Sequence, residues 1–317
     1  MPTAVVLLPS STYRAADFVR AAEGLGIELI VASEVAPPFD MGDRYLQIDC
    51  SDPDEAATAI LGLGDRAAID GVVAADDAGV VIAAIAATKL GLRSNTPESA
   101  AATRDKARQR QLMAAAEVPQ PNFLVVGPDD EISEGALAMV GYPLVVKPLD
   151  RSAGQGVIRV DRPEDLNQAM DRAKAIVGPA PLLIEEYMTG PEIALEGIVR
   201  GGELATLALF DKPNAAEGPF FPETILVTPS RLDEETQAEA VRVASLALSS
   251  LGITHGPVHV EMKVGGDLVR VIEVAARSIG GLCSKSLNFG LMGTSLETLI
   301  LRNAIGMDKP ELRREEV

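Results

Sequence analysis

Apolar and polar positions follow two rhythms along the chain. Short, largely apolar runs, Thr3–Leu8, Leu29–Ala32 and Ile69–Ala75, are separated by stretches such as Phe18, Val19, Ala22 and Leu25, where apolar residues return every three or four positions until Gly26 closes the segment. Runs of the first kind suit strands buried on both faces, and the second period suits helices that cover them. With the Ala-rich helical stretch Val80–Leu90, residues 1–95 predict a small parallel α/β unit. They hold no GxGxxG, so a dinucleotide site is not supported.

The rhythm changes after Asn95. Thr96 before Pro97 reads as a helix N-cap, and a helix-forming stretch continues to about Ala116. Phe123–Val126 and Leu144–Lys147 read as strands, and the second turns through a Gly-containing loop into Val157–Val160, a hairpin. A helix over Asp165–Val177 leads to the strand Leu182–Ile184. Ile193–Val199 pairs with Leu204–Leu209 across Gly201-Gly202, and Val258–Val264 pairs with Leu268–Val274 across Gly265-Gly266. Glu234–Leu251 is an amphipathic helix, whereas Phe210–Pro229, with four prolines and no period, is expected to be a long loop. The expected units are residues 1–95, 96–187 and 188–317.

Composition narrows the picture. Hydrophobic residues make up 47% of the 317 residues but aromatics only 3%, so the core must be built of Ala, Val, Leu and Ile. The formal net charge of −18 argues against nucleic acid and against an anionic membrane surface. A polyanion site would need its cations concentrated locally, which makes isolated lysines beside Gly or Pro informative. Two cysteines, Cys50 and Cys283, far apart in sequence, suit a reduced, cytoplasmic protein. No basic residue precedes the first apolar run, so a signal peptide is not expected, and no run is long and apolar enough to cross a membrane.

Four groups of residues carry candidate chemistry. Lys147 ends a strand and precedes a loop with Ser152, Gly154 and Gly156, the composition that lets backbone N–H groups approach phosphate oxygens; a surface hairpin with a snorkelling lysine is the alternative. Glu185 and Glu186 end an apolar strand, with Glu192 after Gly190-Pro191, and could face an adenine edge and ribose hydroxyls or simply water. Glu261 and Glu273 lie in the two arms of the last hairpin. Two like charges held together cost about 0.2–1 kcal/mol without a counter-ion, which favours a metal site over two solvated glutamates. Arg277 and Ser278 follow, where a guanidinium could hold a carboxylate or an acyl phosphate, or only pair with a glutamate. His259 shares a strand face with Glu261, as a substrate contact or a packed histidine.

In order, Asp105-Lys106, Val145-Val146-Lys147-Pro148, Glu185-Glu186-Tyr187, Gly190-Pro191-Glu192, His259-Val260-Glu261 and Glu273-Val274-Ala275-Ala276-Arg277 resemble the ATP-grasp superfamily, and the closing run resembles its L-amino acid ligase and carboxylate–amine ligase branch. The resemblance implies an α/β fold with an N-terminal Rossmann-like domain before a two-lobed α+β ATP-grasp domain. It also implies ATP and Mg²⁺ (or Mn²⁺) as cofactors, with small-molecule carboxylate and amine substrates. By this likeness Lys106, Lys147 and the loop Ser152–Gly156 contact phosphates, Glu185, Glu186, Tyr187 and Met188 form the adenine hinge, and Glu192 holds the ribose. Glu261 and Glu273 would ligate metal, Arg277 would steady the acyl phosphate, and Asp211, Lys212 and Glu223 would line the substrate side. Two departures are Ala275, where many relatives place an Asn metal ligand, and a shorter C-terminal region than relatives commonly carry. A homodimer is compatible with this likeness. A biotin-carboxylase-like enzyme and a non-catalytic ATP-binding regulator are the competing readings.

Overall fold

The computed structural model describes residues 1–8, 14–36, 41–65, 68–213, 216–221, 225–266, 268–289 and 294–307. The N-terminal unit is a parallel four-stranded sheet ordered β3-β2-β1-β4, from β1 (Thr3–Leu7), β2 (Glu28–Ser33), β3 (Tyr45–Gln47) and β4 (Gly71–Ala74). Along β1, Val5 and Leu7 face one core and Ala4 and Val6 the other, so alternate side chains are buried on opposite faces. That double burial is why the run reads as continuously apolar. Helices α2 (Pro53–Leu61) and α3 (Val80–Lys89) cover the first face. On the other lie α1 (Ala15–Leu25) and, from the far end of the chain, α9 (Leu296–Ala304).

The expected helix from Thr96 to Ala116 is two helices, α4 (Pro97–Ala102) and α5 (Lys106–Ala115). The Thr96 hydroxyl accepts from the Ser99 N–H at 3.1 Å as predicted, but Asp105 is extended and its carboxylate accepts from the Arg108 N–H at 3.0 Å, starting a new helix. Ala102, Met113 and Val118 pack into the core of the second antiparallel sheet described below.

Two antiparallel sheets follow. The smaller, ordered β5-β8-β6-β7, comprises β5 (Phe123–Val126), β6 (Leu144–Pro148), β7 (Ile158–Val160) and β8 (Leu182–Glu186), with α6 (Glu134–Val140) and α7 (Leu166–Val177) against it. The larger, ordered β10-β9-β11-β12, comprises β9 (Glu192–Arg200), β10 (Glu203–Lys212), β11 (His255–Gly265) and β12 (Leu268–Ala275), backed by α8 (Glu234–Ser250). The segment expected to be loop from Phe210 is strand as far as Lys212, because Phe210, Asp211 and Lys212 continue the ladder opposite Ala194, Ile193 and Glu192. Asp211 also pairs with Val227. A two-stranded ribbon, β13 (Asn288–Phe289) and β14 (Thr294–Ser295), precedes α9.

Candidate active site

The cleft between the two antiparallel sheets is built on buried ions. Lys147, at the end of β6, places Nζ 2.5 Å from Glu185 Oε2, and Arg110, one helical turn after Lys106, engages the other oxygen of the same carboxylate. All three side chains are almost wholly buried. Burial opposes ionisation of Glu185, but Arg110 and Lys147 outweigh it and hold the carboxyl below its usual range. Burial presses the Lys147 ammonium down, with Glu185 acting against it. Arg110 also donates to the Val271 and Ile272 carbonyls at 3.2 and 2.6 Å, tying the smaller sheet to β12. Lys106 reaches from the first turn of α5 to Glu273 Oε1 at 2.9 Å and to the Arg151 carbonyl at 2.6 Å. Both lysines line one cleft, Lys147 from β6 and Lys106 from α5.

The rest of the cleft is lined by Ser152, Gly154, Glu186, Tyr187, Met188, Glu192, Lys212, Glu261 and Lys263, among others. The loop after β6 is held close to residues beyond β10. Gly154 has φ +70° and a Cβ there would overlap the Phe221 carbonyl, and Gly156 has φ +73° with Pro148 where its Cβ would stand. The Tyr187 ring lies under the Arg159 guanidinium at 4.1 Å and beside Phe221. Glu186 turns its side chain to Arg270 at 2.8 Å. Glu192 lies between Lys212 at 2.7 Å and Lys263 at 3.4 Å, residues that face it in register from the neighbouring strands. Five lysines or arginines and five glutamates line the cleft, so it is formally neutral in a chain of charge −18.

A second cavity of about 300 Å³ adjoins this cleft and shares Ser152, Gly154, Glu192, Lys212, Glu261 and Glu273 with it. Glu261 and Glu273 are direct partners across β11 and β12, as the hairpin reading required, and the register slips immediately afterwards, Met262 facing Val271. His259 lies between Glu196 of β9, with Nδ1 3.3 Å from Oε2, and Glu261, with Nε2 3.4 Å from Oε1. Burial works against charge on both Glu261 and His259, but their mutual contact holds Glu261 at about 2 and, with Glu196, lifts His259 to about 9. Arg277 lines this cavity, with Nε 2.9 Å from Asp77 Oδ2 of the N-terminal unit. Ile193, Ala194, Leu226, Ile279 and Cys283 make its apolar side.

Most candidates from the sequence thus converge. Ser278 does not: it is buried, and its hydroxyl accepts from Arg14 at 2.5 Å away from the cavity lining. Glu223 lies outside the described residues, and Asp211 is held by Ser230 and Arg231. Arg110, Glu196 and Asp77 were missed. Arg110 is four residues from Lys106 on one helix face, and Glu196 interrupts the apolar strand Ile193–Val199, so both left a trace in the pattern. Asp77 left none.

Residues 140–286 match the ATP-grasp domain and residues 19–93 the ATP-grasp N-terminal domain. The chain carries an ATP-grasp domain. An L-amino acid ligase from Bacillus licheniformis superposes with a TM-score of 0.80 at 26% identity, over 96% of this chain and 74% of that one. The phosphoribosylglycinamide synthetase of Anaerococcus prevotii, at 19% identity and TM-score 0.73 over 96% of this chain and 76% of that one, shares the fold. The alanine–anticapsin ligase of Bacillus subtilis (strain 168) is 28% identical over 72% of this chain and 52% of its own length, so this ATP-grasp chain spans about half the length of the curated relatives it matches.

The paired glutamates fit a magnesium ion. Both offer hard oxygen donors on one strand pair, and Glu261 is held ionised. No cluster of three or more His, Cys, Asp or Glu ligands exists among the described residues. Mg²⁺ binds through one or two carboxylates and completes its shell with water and phosphate oxygens.

Proposed function

We propose that this protein is an ATP-dependent carboxylate–amine ligase that forms ADP and phosphate through an acyl phosphate. The observation that carries the reading is that the lysine-lined cleft and the Arg277 cavity meet at the Glu261–Glu273 pair. Lys106 and Lys147 bind phosphate oxygens from either side, and the loop Ser152–Gly156 covers them with backbone N–H groups. The backbone from Glu185 to Met188 forms the adenine hinge, with the Glu185 side chain keeping Lys147 and Arg110 in place. Glu192, steadied by Lys212 and Lys263, accepts from the ribose. Lys212 also lies on the substrate side.

Mg²⁺ or Mn²⁺, when bound by Glu261 and Glu273, supplies charge neutralisation at the phosphate oxygens. The substrate carboxylate attacks the γ-phosphorus and ADP leaves; the amine then attacks the acyl carbon, the C–N bond forms and phosphate departs. Arg277 steadies the acyl phosphate, and His259 borders the position where the amine arrives. Catalysis of this kind rests on positioning and fixed charge.

A phosphate-release screen tests the reading, with paired amino acids, single carboxylates and bicarbonate as separate arms. Release in the paired arms above either amino acid alone is the expected result. Release with bicarbonate alone points instead to a bicarbonate-activating enzyme, and ATP binding without turnover in any arm points to a regulatory protein.

A further inference from the structure

The only acid that reaches Arg277 within ion-pair distance among the described residues comes from the N-terminal unit. The turn after β4 explains how. Asp76 is extended and turns its carboxylate back onto the Ala78 N–H at 3.1 Å, capping a short 3₁₀ turn over Asp77–Gly79. Gly79 lets that turn sit against β1 and β4, since a Cβ there would come within 2.9 Å of Leu7 Cβ and 3.1 Å of Ala74 Cβ. Asp77 is thereby fixed at the edge of the unit and divides its two oxygens. Oδ2 takes Arg277 Nε at 2.9 Å, and Oδ1 takes Arg104 Nη1 at 3.3 Å. Arg104 lies in the break between α4 and α5, two residues before Lys106.

Arg277 is otherwise held through Nη1, which donates to the Ser278 carbonyl at 3.0 Å. Two anchors on a planar guanidinium fix its orientation, and Nη2 has no partner among the described residues. We propose that Asp77 is a positioning residue for ligation: it aims the free edge of Arg277 into the adjoining cavity, so the N-terminal unit sets the alignment of the substrate acid without touching it. This rests on the ligase reading above. Burial disfavours the Asp77 anion, but Arg277 and Arg104 overcome that and keep its carboxyl below the ordinary range, so the anchor is ionised at neutral pH.

A purely structural ion pair between units would lower stability and affect both substrates alike. A positioning role separates them. Steady-state kinetics on Asp77→Asn, Asp77→Glu and Arg104→Gln decide the matter, varying ATP and the acid in turn and recording Tm. For Asp77→Asn, kcat/KM for the acid should fall about tenfold or more while KM for ATP stays within about twofold. Asp77→Glu should recover part of that loss. Arg104→Gln, which removes the other partner, should keep kcat/KM for the acid within about threefold of the parent. Unchanged acid kinetics in Asp77→Asn, equal losses in Asp77→Asn and Arg104→Gln, or parallel losses for both substrates would overturn the proposal while the parent remains an active ligase. A parent inactive in every acid and amine arm overturns the ligase reading, and the positioning role falls with it.

Discussion

The cleft and the adjoining cavity share one wall but are built on different principles. At the cleft, carboxylates of the antiparallel sheets hold the long cations of those sheets and of α5: Glu185 holds Lys147 and Arg110, Glu273 holds Lys106, and Glu192 holds Lys212 and Lys263. Such pairing holds each side chain in place before a nucleotide arrives, and the formal neutrality leaves a triphosphate in need of a divalent cation. The cavity beyond the Glu261–Glu273 pair adds only His259 and Arg277 as charged groups, has an apolar side, and holds an arginine anchored from another unit. Under the proposed function, charge fixed by the sheet carboxylates serves the part common to ATP chemistry. Under the same reading, packing between units serves the part where substrates differ.

The sharpest way to break this contrast is at the shared wall. Glu273→Ala should lower Mg²⁺-dependent ADP release about 100-fold or more, because it removes a metal donor and frees Lys106; unaltered turnover in the phosphate-release assay sinks the metal assignment. On the cleft side, Glu185→Gln leaves Lys147 and Arg110 buried without their anion and should cost about 3–5 kcal/mol in urea unfolding. The pH dependence has a definite sign. Since the folded carboxyl titrates below its unfolded value of about 4.3, its stabilisation is present above that value and is lost as pH falls through the folded one, so the variant should show a flatter acid limb.

On the cavity side, Arg277→Lys keeps the charge but not the two-anchor fork, and kcat/KM for the acid should drop about tenfold with KM for ATP nearly constant. A matching loss for ATP would dissolve the distinction between the two spaces. The smallest effect belongs to Glu186→Ala. Its carboxylate meets Arg270 at the partly exposed edge, so the loss should be no more than about 1 kcal/mol, and KM for ATP should move less than twofold if the hinge acts through backbone groups.

Much of this arrangement was legible in the residues. The parallel sheet followed from apolar runs buried on both faces, and the facing of Glu261 and Glu273 followed from hairpin length and the period of two. Other features escaped. Asp105 split one expected helix into two because a capping carboxylate competes with helical continuation, a choice that propensity alone does not decide. Glu185, read as part of a hinge, is also the anion for two buried cations, one of them 75 residues earlier.

The sequence by itself determined most of the strands and helices and the lysines and glutamates that carry the family resemblance, because these depend on local period and on neighbours a few residues apart. Only the tertiary structure decided which charge answers which. Arg277 meets Asp77 and Arg14 meets Ser278 and Glu297 across units whose strands are separated by most of the chain. Such partners leave no periodic trace, because a buried ion is satisfied by proximity in space, wherever along the chain its counter-charge stands.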